Sequence, residues 1–149
     1  MDSELNELYQ EVILDHSRKP RHFHVLPQAD RAAEGNNPLC GDRYTVYLKL
    51  EGDVIRDISF QGSGCAISKA SASMMTDELK GKTVSDARRY FSQYQSMVTT
   101  GKADEDALGK LCAFAGVHHF PMRVKCAILP WHAMLAGLDG QKSVSTDVQ

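Results

Sequence analysis

The sequence predicts an α+β fold in a single domain, with one antiparallel β-hairpin set among several amphipathic helices. Two observations predict it. Residues 43 to 60 alternate apolar and polar side chains around a glycine turn, the period of a half-buried strand pair. The segments on either side carry apolar residues three and four apart, the period of helices with one buried face. With 149 residues, of which 42% are hydrophobic and 24% charged, the chain can fill one real core.

Leu5, Leu8, Tyr9, Val12 and Ile13 place a first helix over residues 3 to 16, capped by Asp2 or Ser3. Lys19-Pro20 ends it, because the residue before proline is driven out of the α region. Residues 20 to 38, bounded by Pro20 and Asn36-Asn37-Pro38, read as irregular. Tyr44, Val46, Leu48 and Leu50 then face one way along a strand, Glu51-Gly52-Asp53 turns, and Val54, Ile58 and Phe60 return.

Residues 66 to 79 form a helix with Ile67, Ala70 and Met74 on one face. Val84, Ala87, Phe91, Tyr94 and Val98 define another, followed by a polar break over residues 99 to 106. Leu108, Leu111 and Ala115 indicate a short helix ending near Gly116. Pro121 starts the last helix at the position where its missing N–H costs nothing, and Val124, Ile128, Trp131 and Leu135 mark its buried face. Pro130 removes the hydrogen bond to the Cys126 carbonyl, so a kink is expected there. Residues 1 to 139 are read as the domain, and residues 140 to 149, small and polar, as a flexible tail.

A net charge of −2 and a pI near 6.3 argue against nucleic acid as a partner. No apolar run approaches the roughly 18 residues of a membrane span. The acidic start Met1-Asp2-Ser3-Glu4 is no secretory leader, so a cytoplasmic address is expected. In that reducing setting, free thiols or metal ligands are favoured over two disulfides.

Four positions carry chemistry. Cys40-Gly41-Asp42 precedes the hairpin, Gly62-Ser63-Gly64-Cys65 follows it, and Cys126 lies downstream in Arg123-Val124-Lys125-Cys126-Ala127. A hairpin returns both its ends to one edge, which brings Cys40, Asp42 and Cys65 together. Three thiolates and one carboxylate suit a tetrahedral zinc site. Such a set leaves a formal charge of about −2 around a divalent ion. The oxygen ligand is the poorest match, which makes Asp42 a labile arm, and Arg123 and Lys125 are available to offset the charge or meet an anionic partner. There is no Cys-x-x-Cys pair, so buried structural cysteines remain the alternative.

Cys112, in register with Leu108 and Leu111, reads as a buried small hydrophobe. His118-His119 reads as exposed, and Trp131 as core. The basic run Arg18, Lys19, Arg21, His22 and His24 is either a solvated segment or a docking surface.

These motifs together resemble the U-type iron–sulfur cluster assembly family, which includes IscU, the N-terminal domain of NifU, and SufU. The resemblance runs from Leu8-Tyr9, His16 and Arg18-Lys19-Pro20 through Asn36, Pro38 and Cys40-Gly41-Asp42. It continues in Gly62-Ser63-Gly64-Cys65-Ala66-Ile67-Ser68, Ala70-Ser71, Arg123, Lys125-Cys126-Ala127 and Trp131. Lys125 stands where IscU-type members carry histidine, and Phe120-Pro121-Met122-Arg123-Val124-Lys125 replaces their Leu-Pro-Pro-Val-Lys stretch. Both features resemble the SufU branch, as does an insertion over residues 97 to 117 that contains Cys112.

The resemblance implies a sandwich-like α+β fold of the SufE/NifU type, with a small antiparallel sheet covered by helices. It implies Cys40, Asp42, Cys65 and Cys126 as zinc ligands, or as holders of a transient [2Fe–2S] cluster. It also implies a SufS-type cysteine desulfurase as partner, with downstream iron–sulfur assembly machinery beyond it. Cys40, on a loop beside Gly41, is the expected sulfur acceptor. The alternatives are a scaffold for [2Fe–2S] assembly and, behind it, a structural zinc module.

Overall fold

The computed structural model describes residues 3–145 and, in the first helix, side chains from residue 7 onward. The cap expected at Asp2 or Ser3 lies outside what is described. The element order is α1 (Ser3–Arg18), β1 (Arg31–Asn37), β2 (Asp42–Glu51), β3 (Val54–Ser63), α2 (Ala66–Leu79), α3 (Val84–Thr100), α4 (Glu105–Leu108), a 3₁₀ segment (Gly109–His119), α5 (Pro121–Leu138) and β4 (Ser143–Ser145). The α+β class is the predicted one.

The four-stranded sheet has the order β3-β2-β1-β4. The hairpin β2–β3 is antiparallel, with Val46 opposite Phe60 and Leu48 opposite Ile58, and a register shift at Lys49/Leu50. Tyr44, Val46, Leu48, Ile58 and Phe60 are fully buried on one face, as the alternation requires.

Two segments differ from expectation. Residues 31 to 37 form β1, antiparallel to β2 with Asn37 opposite Asp42, where an irregular stretch was expected. Its inward positions are Ala33, Gly35 and Asn37, so no apolar stripe announces it. Small residues are needed because α5 lies directly on this strand: a Cβ on Gly35 would stand 3.1 Å from both Ala133 Cβ and Leu129 Cδ1. Within the segment expected as a tail, residues 143 to 145 return to the sheet as β4, which pairs parallel with β1.

The helices cover the inner face. α5 packs on β1 and β2, α2 packs on α1 and α5, and α3 lies against α5 and the 3₁₀ segment. Thr83 caps α3 by accepting from Asp86 N–H, and Gly101 at φ +81° ends it. The short helix expected near Leu108 to Gly116 is instead one α turn followed by a long 3₁₀ stretch. Its Leu111, Cys112, Phe114 and Val117 are buried, so hydrophobic anchoring holds a conformation with poorer hydrogen bonding. Cys112 is 1% exposed, as its register predicts.

α5 runs unbroken through Pro130. Beside it, Ser71 donates to the Ala127 carbonyl at 2.5 Å and accepts from Trp131 Nε1 at 3.2 Å, while Tyr94 lies 2.9 Å from the same hydroxyl. The Tyr94 and Trp131 rings stack with centroids 4.5 Å apart. This buried network ties α2, α3 and α5 together one residue from Cys126. Among the described residues, no helix is long and apolar enough to cross a membrane.

Candidate metal centre

The turn between β1 and β2 presents the first sulfur. The Asn37 carbonyl accepts from Cys40 N–H at 3.3 Å and Gly41 N–H at 2.8 Å, and its Oδ1 accepts from Leu39 N–H at 3.2 Å. Gly41 takes φ +80°, a conformation that costs any other residue steric energy. Cys40 is thereby exposed at the turn, while Asp42, the first residue of β2, points inward and is 2% exposed.

At the far end of the hairpin Cys65 is the N-cap of α2, its sulfur accepting from Ser68 N–H at 3.4 Å. The Cys65 N–H donates to Asp42 Oδ1 at 2.9 Å, and its thiol lies 3.7 Å from Asp42 Oδ2. Ser68 donates to the Cys65 carbonyl at 3.1 Å and shares a 3.0 Å hydrogen bond with Tyr44. Gly64 is required by crowding, since a Cβ there would stand 2.6 Å from Asp42 Oδ1, Ser68 Oγ and the Tyr44 hydroxyl. Cys126, buried on the second turn of α5, completes the group.

Ligand atoms of Cys40, Asp42 and Cys126 lie within 4.8 Å of one another. The Cys40 and Cys126 sulfurs are 3.7 Å apart. A tetrahedron with zinc–sulfur bonds of about 2.3 Å has an edge of ~3.8 Å, so the donor set fits such an ion. Cys65 stands beside this trio, its sulfur 3.7 Å from Asp42 Oδ2. Of the four residues singled out from the sequence, three converge as a group and the fourth joins through the carboxylate.

The thiols are unequal. Cys65 is held down to about 6, first by the Cys126 thiol donating to it and then by the Ser68 N–H and hydroxyl acting against burial. As donor to Cys65, and through burial, Cys126 is pushed up. Burial also raises Cys40. Cys65 also caps the N-terminus of α2, where the helix dipole favours a thiolate.

All three cysteines open into one cleft of about 610 Å³. Its walls are apolar: Leu14 from α1, Val117 from the 3₁₀ segment, and Phe120 and Met122 at the start of α5. Phe120 in this lining is 55% exposed, and Leu39, next to Cys40 in the chain, is 60% exposed. Arg123 lines the cleft and stacks over Phe120, with the guanidinium 5.3 Å from the ring centre.

Lys125 lies elsewhere, in a separate depression with Gln95, His118 and His132. One residue along a helix is a rotation of about 100°, which turns Lys125 away from the sulfurs. His118 and His119 stack on each other at 3.8 Å and are not part of the candidate ligand group. Within the basic run, Arg21 pairs with Asp15 at 2.7 Å and His22 lies 3.5 Å from Asp77.

Sequence reasoning missed four supporting residues. Tyr44 and Ser68 hold the Cys65 turn, Ser71 braces α5 beneath Cys126, and Asn37 shapes the Cys40 turn. A polar tip on an inward strand tyrosine calls for a buried partner, so Tyr44 carried a signal. Asn37 and Ser68 act on near neighbours, Asn37 on the Cys40 turn and Ser68 on Cys65 three residues before it, whereas Ser71 carried no local signal because its partners come from α3 and α5.

Residues 8–127 match the NifU-like N-terminal domain. The chain is 42% identical over 139 residues to the zinc-dependent sulfurtransferase SufU of Bacillus subtilis, covering 92% of this chain and 93% of that protein. It is 41% identical over 133 residues to the iron–sulfur cluster assembly scaffold protein IscU of Streptococcus pyogenes, covering 89% and 83%. A crystal structure from Fervidobacterium islandicum, described as an iron–sulfur cluster assembly scaffold for the SUF system, superposes with a TM-score of 0.83 at 36% identity, over 92% of this chain and 99% of that one.

Proposed function

The chain belongs to the NifU-like N-terminal domain family, and from that premise we propose that it serves iron–sulfur cluster assembly as a zinc-dependent sulfur acceptor for a SufS-type cysteine desulfurase. The observation that carries this reading is the 3.7 Å pair of sulfurs from Cys40 and Cys126, with Asp42 alongside, at the floor of an open cleft. Cys40, Asp42, Cys65 and Cys126 would hold the ion. When bound, zinc supplies a site that keeps thiolates deprotonated yet protected from oxidation.

Cys40 is the acceptor in this reading. It sits on an exposed turn, whereas Cys126 is 6% exposed and Cys65 is anchored as a helix cap. The Cys40 thiolate attacks the outer sulfur of a persulfide on the desulfurase. A new S–S bond forms on Cys40, the enzyme's S–S bond breaks, and the enzyme's cysteine leaves as thiolate. The exposed apolar side chains of Leu14, Leu39, Phe120 and Met122 would pack against the partner, and Arg123 would meet its anionic groups. Free thiols fit a reducing cytoplasmic setting, and handing sulfur onward implies downstream assembly machinery.

The test is cysteine turnover by a SufS-type desulfurase as the zinc-loaded protein is titrated in. Saturable stimulation is expected, and Cys40→Ser with zinc retained should lose it. If Cys40→Ser accepts labelled sulfur at the wild-type rate, the assignment of the acceptor is wrong. The similarity to IscU scaffolds favours a second reading, assembly of a [2Fe–2S] cluster on the same thiolates. No stimulation of a competent desulfurase, with stoichiometric iron and sulfide bound after anaerobic reconstitution, would select it.

A further inference from the structure

Among the described residues, the Asn37 amide is the buried side-chain group beside the thiol cluster with an unused donor. Asn37 is 0% exposed, and its Nδ2 has no hydrogen-bond partner. The orientation of the amide is settled by its neighbour: Leu39 N–H needs an acceptor, so Oδ1 faces it and Nδ2 faces away. Asn37 and Asp42 are direct partners across the β1–β2 ladder. Directly opposed residues carry their side chains on the same face of the sheet, within reach of each other. Asn37 and Asp42 also line one small depression at the β1–β2 turn. Meanwhile Asp42 is turned to Cys65, with Oδ1 on its N–H and Oδ2 near its thiol.

A buried donor left without a partner carries a desolvation penalty, which is removed when its surroundings bring an acceptor within reach. A group placed to supply it is the Asp42 carboxylate, opposite Asn37 in the ladder. Carboxylates that ligate metals are themselves held by hydrogen bonds, and those donors decide how firmly the ligand stays in place.

We propose that Asn37 is a positioning residue of the metal centre, whose Nδ2 amide holds the Asp42 carboxylate in its ligating orientation. This rests on the zinc-binding reading of the site, and it makes the lability of Asp42 a property of the Asn37–Asp42 pair. The Oδ1 of Asn37 shapes the Cys40 turn and its Nδ2 serves Asp42, so one amide sets two ligands.

The experiment is a double-mutant cycle read as zinc dissociation constants, measured by competition with a chromophoric chelator. It compares wild type, Asn37→Ala, Asp42→Ala and the double variant. In the wild-type background, Asn37→Ala should weaken zinc by about 10- to 100-fold. In the Asp42→Ala background the loss should be several-fold smaller, because the group Nδ2 acts through is gone and only the contribution through the Cys40 turn remains. An equal loss in both backgrounds would overturn the proposal, since Asn37 would then act only through the Cys40 turn. No loss in either would also overturn it. Should Asn37→Ala not fold, Asn37→Ser runs the same cycle with a hydroxyl available to the Leu39 N–H. A wild-type protein that retains no zinc would overturn the zinc reading itself and this role with it. Failure of the cycle with zinc firmly bound removes Asn37 alone.

Discussion

At Gly64 three polar atoms surround the space a side chain would fill. Asp42 Oδ1, Ser68 Oγ and the Tyr44 hydroxyl all lie 2.6 Å from the position of a Cβ. Each is the end of a side chain and can be pushed aside, but only by breaking the bonds Asp42 makes to Cys65 and Ser68 makes to Tyr44. Gly64→Ala should therefore fold, lose about 1–3 kcal/mol of stability, and bind zinc more weakly because Asp42 is displaced. Urea unfolding and chelator competition measure the two effects. Wild-type zinc affinity in a destabilised variant would mean that Asp42 contributes nothing to the site.

Elements act here as carriers of ligands. The hairpin returns Asp42 and Cys65 to one edge, and α5 brings Cys126 over them from a residue 61 positions later in chain order than Cys65. What fixes the height of α5 over the sheet is small residues beneath it, Ala33 and Gly35, and the Ser71 network beside it. Removing the Ser71 hydroxyl takes one hydrogen-bond partner from Trp131 Nε1, leaving it the Tyr94 hydroxyl, in a fully buried setting. Ser71→Ala should cost about 1–3 kcal/mol in urea unfolding and shift the Trp131 fluorescence, with secondary structure retained. Unchanged stability and emission would show that the network does not brace α5.

For the molecule as a whole, pH stability is set in part by two histidines that the fold keeps neutral. His16 is 7% exposed, with Nδ1 2.7 Å from Ser73 Oγ, and joins α1 to α2. Burial holds it below its ordinary value, helped by the charge of Arg21 and opposed by Asp77 and Asp15. His132 is held down by burial alone, its ring edge-on to Phe91. Both groups have folded values below their unfolded ones, so the unfolded chain takes up protons first as pH falls. The stability they protect is complete above about pH 6.5 and declines below it. Unfolding free energies measured from pH 7.5 down to 5 should fall in wild type, and the slope below 6.5 should be shallower in His16→Gln. An equal slope in the variant would mean that His16 takes up protons in the fold as readily as in the unfolded chain.

The local code was readable where a residue acts with its near neighbours. The strands of the hairpin, four of the helices and the burial of Cys112 and Trp131 all follow from spacing, because helix and strand periods are local properties. The candidate ligands were legible for the same reason, as thiols and a carboxylate set in glycine turns. Tertiary structure alone decided β1 and β4. Arg-Ala-Ala-Glu-Gly-Asn-Asn has no apolar stripe, and it becomes a strand only because β2 supplies its hydrogen bonds and α5 demands small residues under it. It also turned Lys125 away from the sulfurs and placed Asn37 opposite Asp42, since a ladder register is a relation between two strands that neither strand carries by itself.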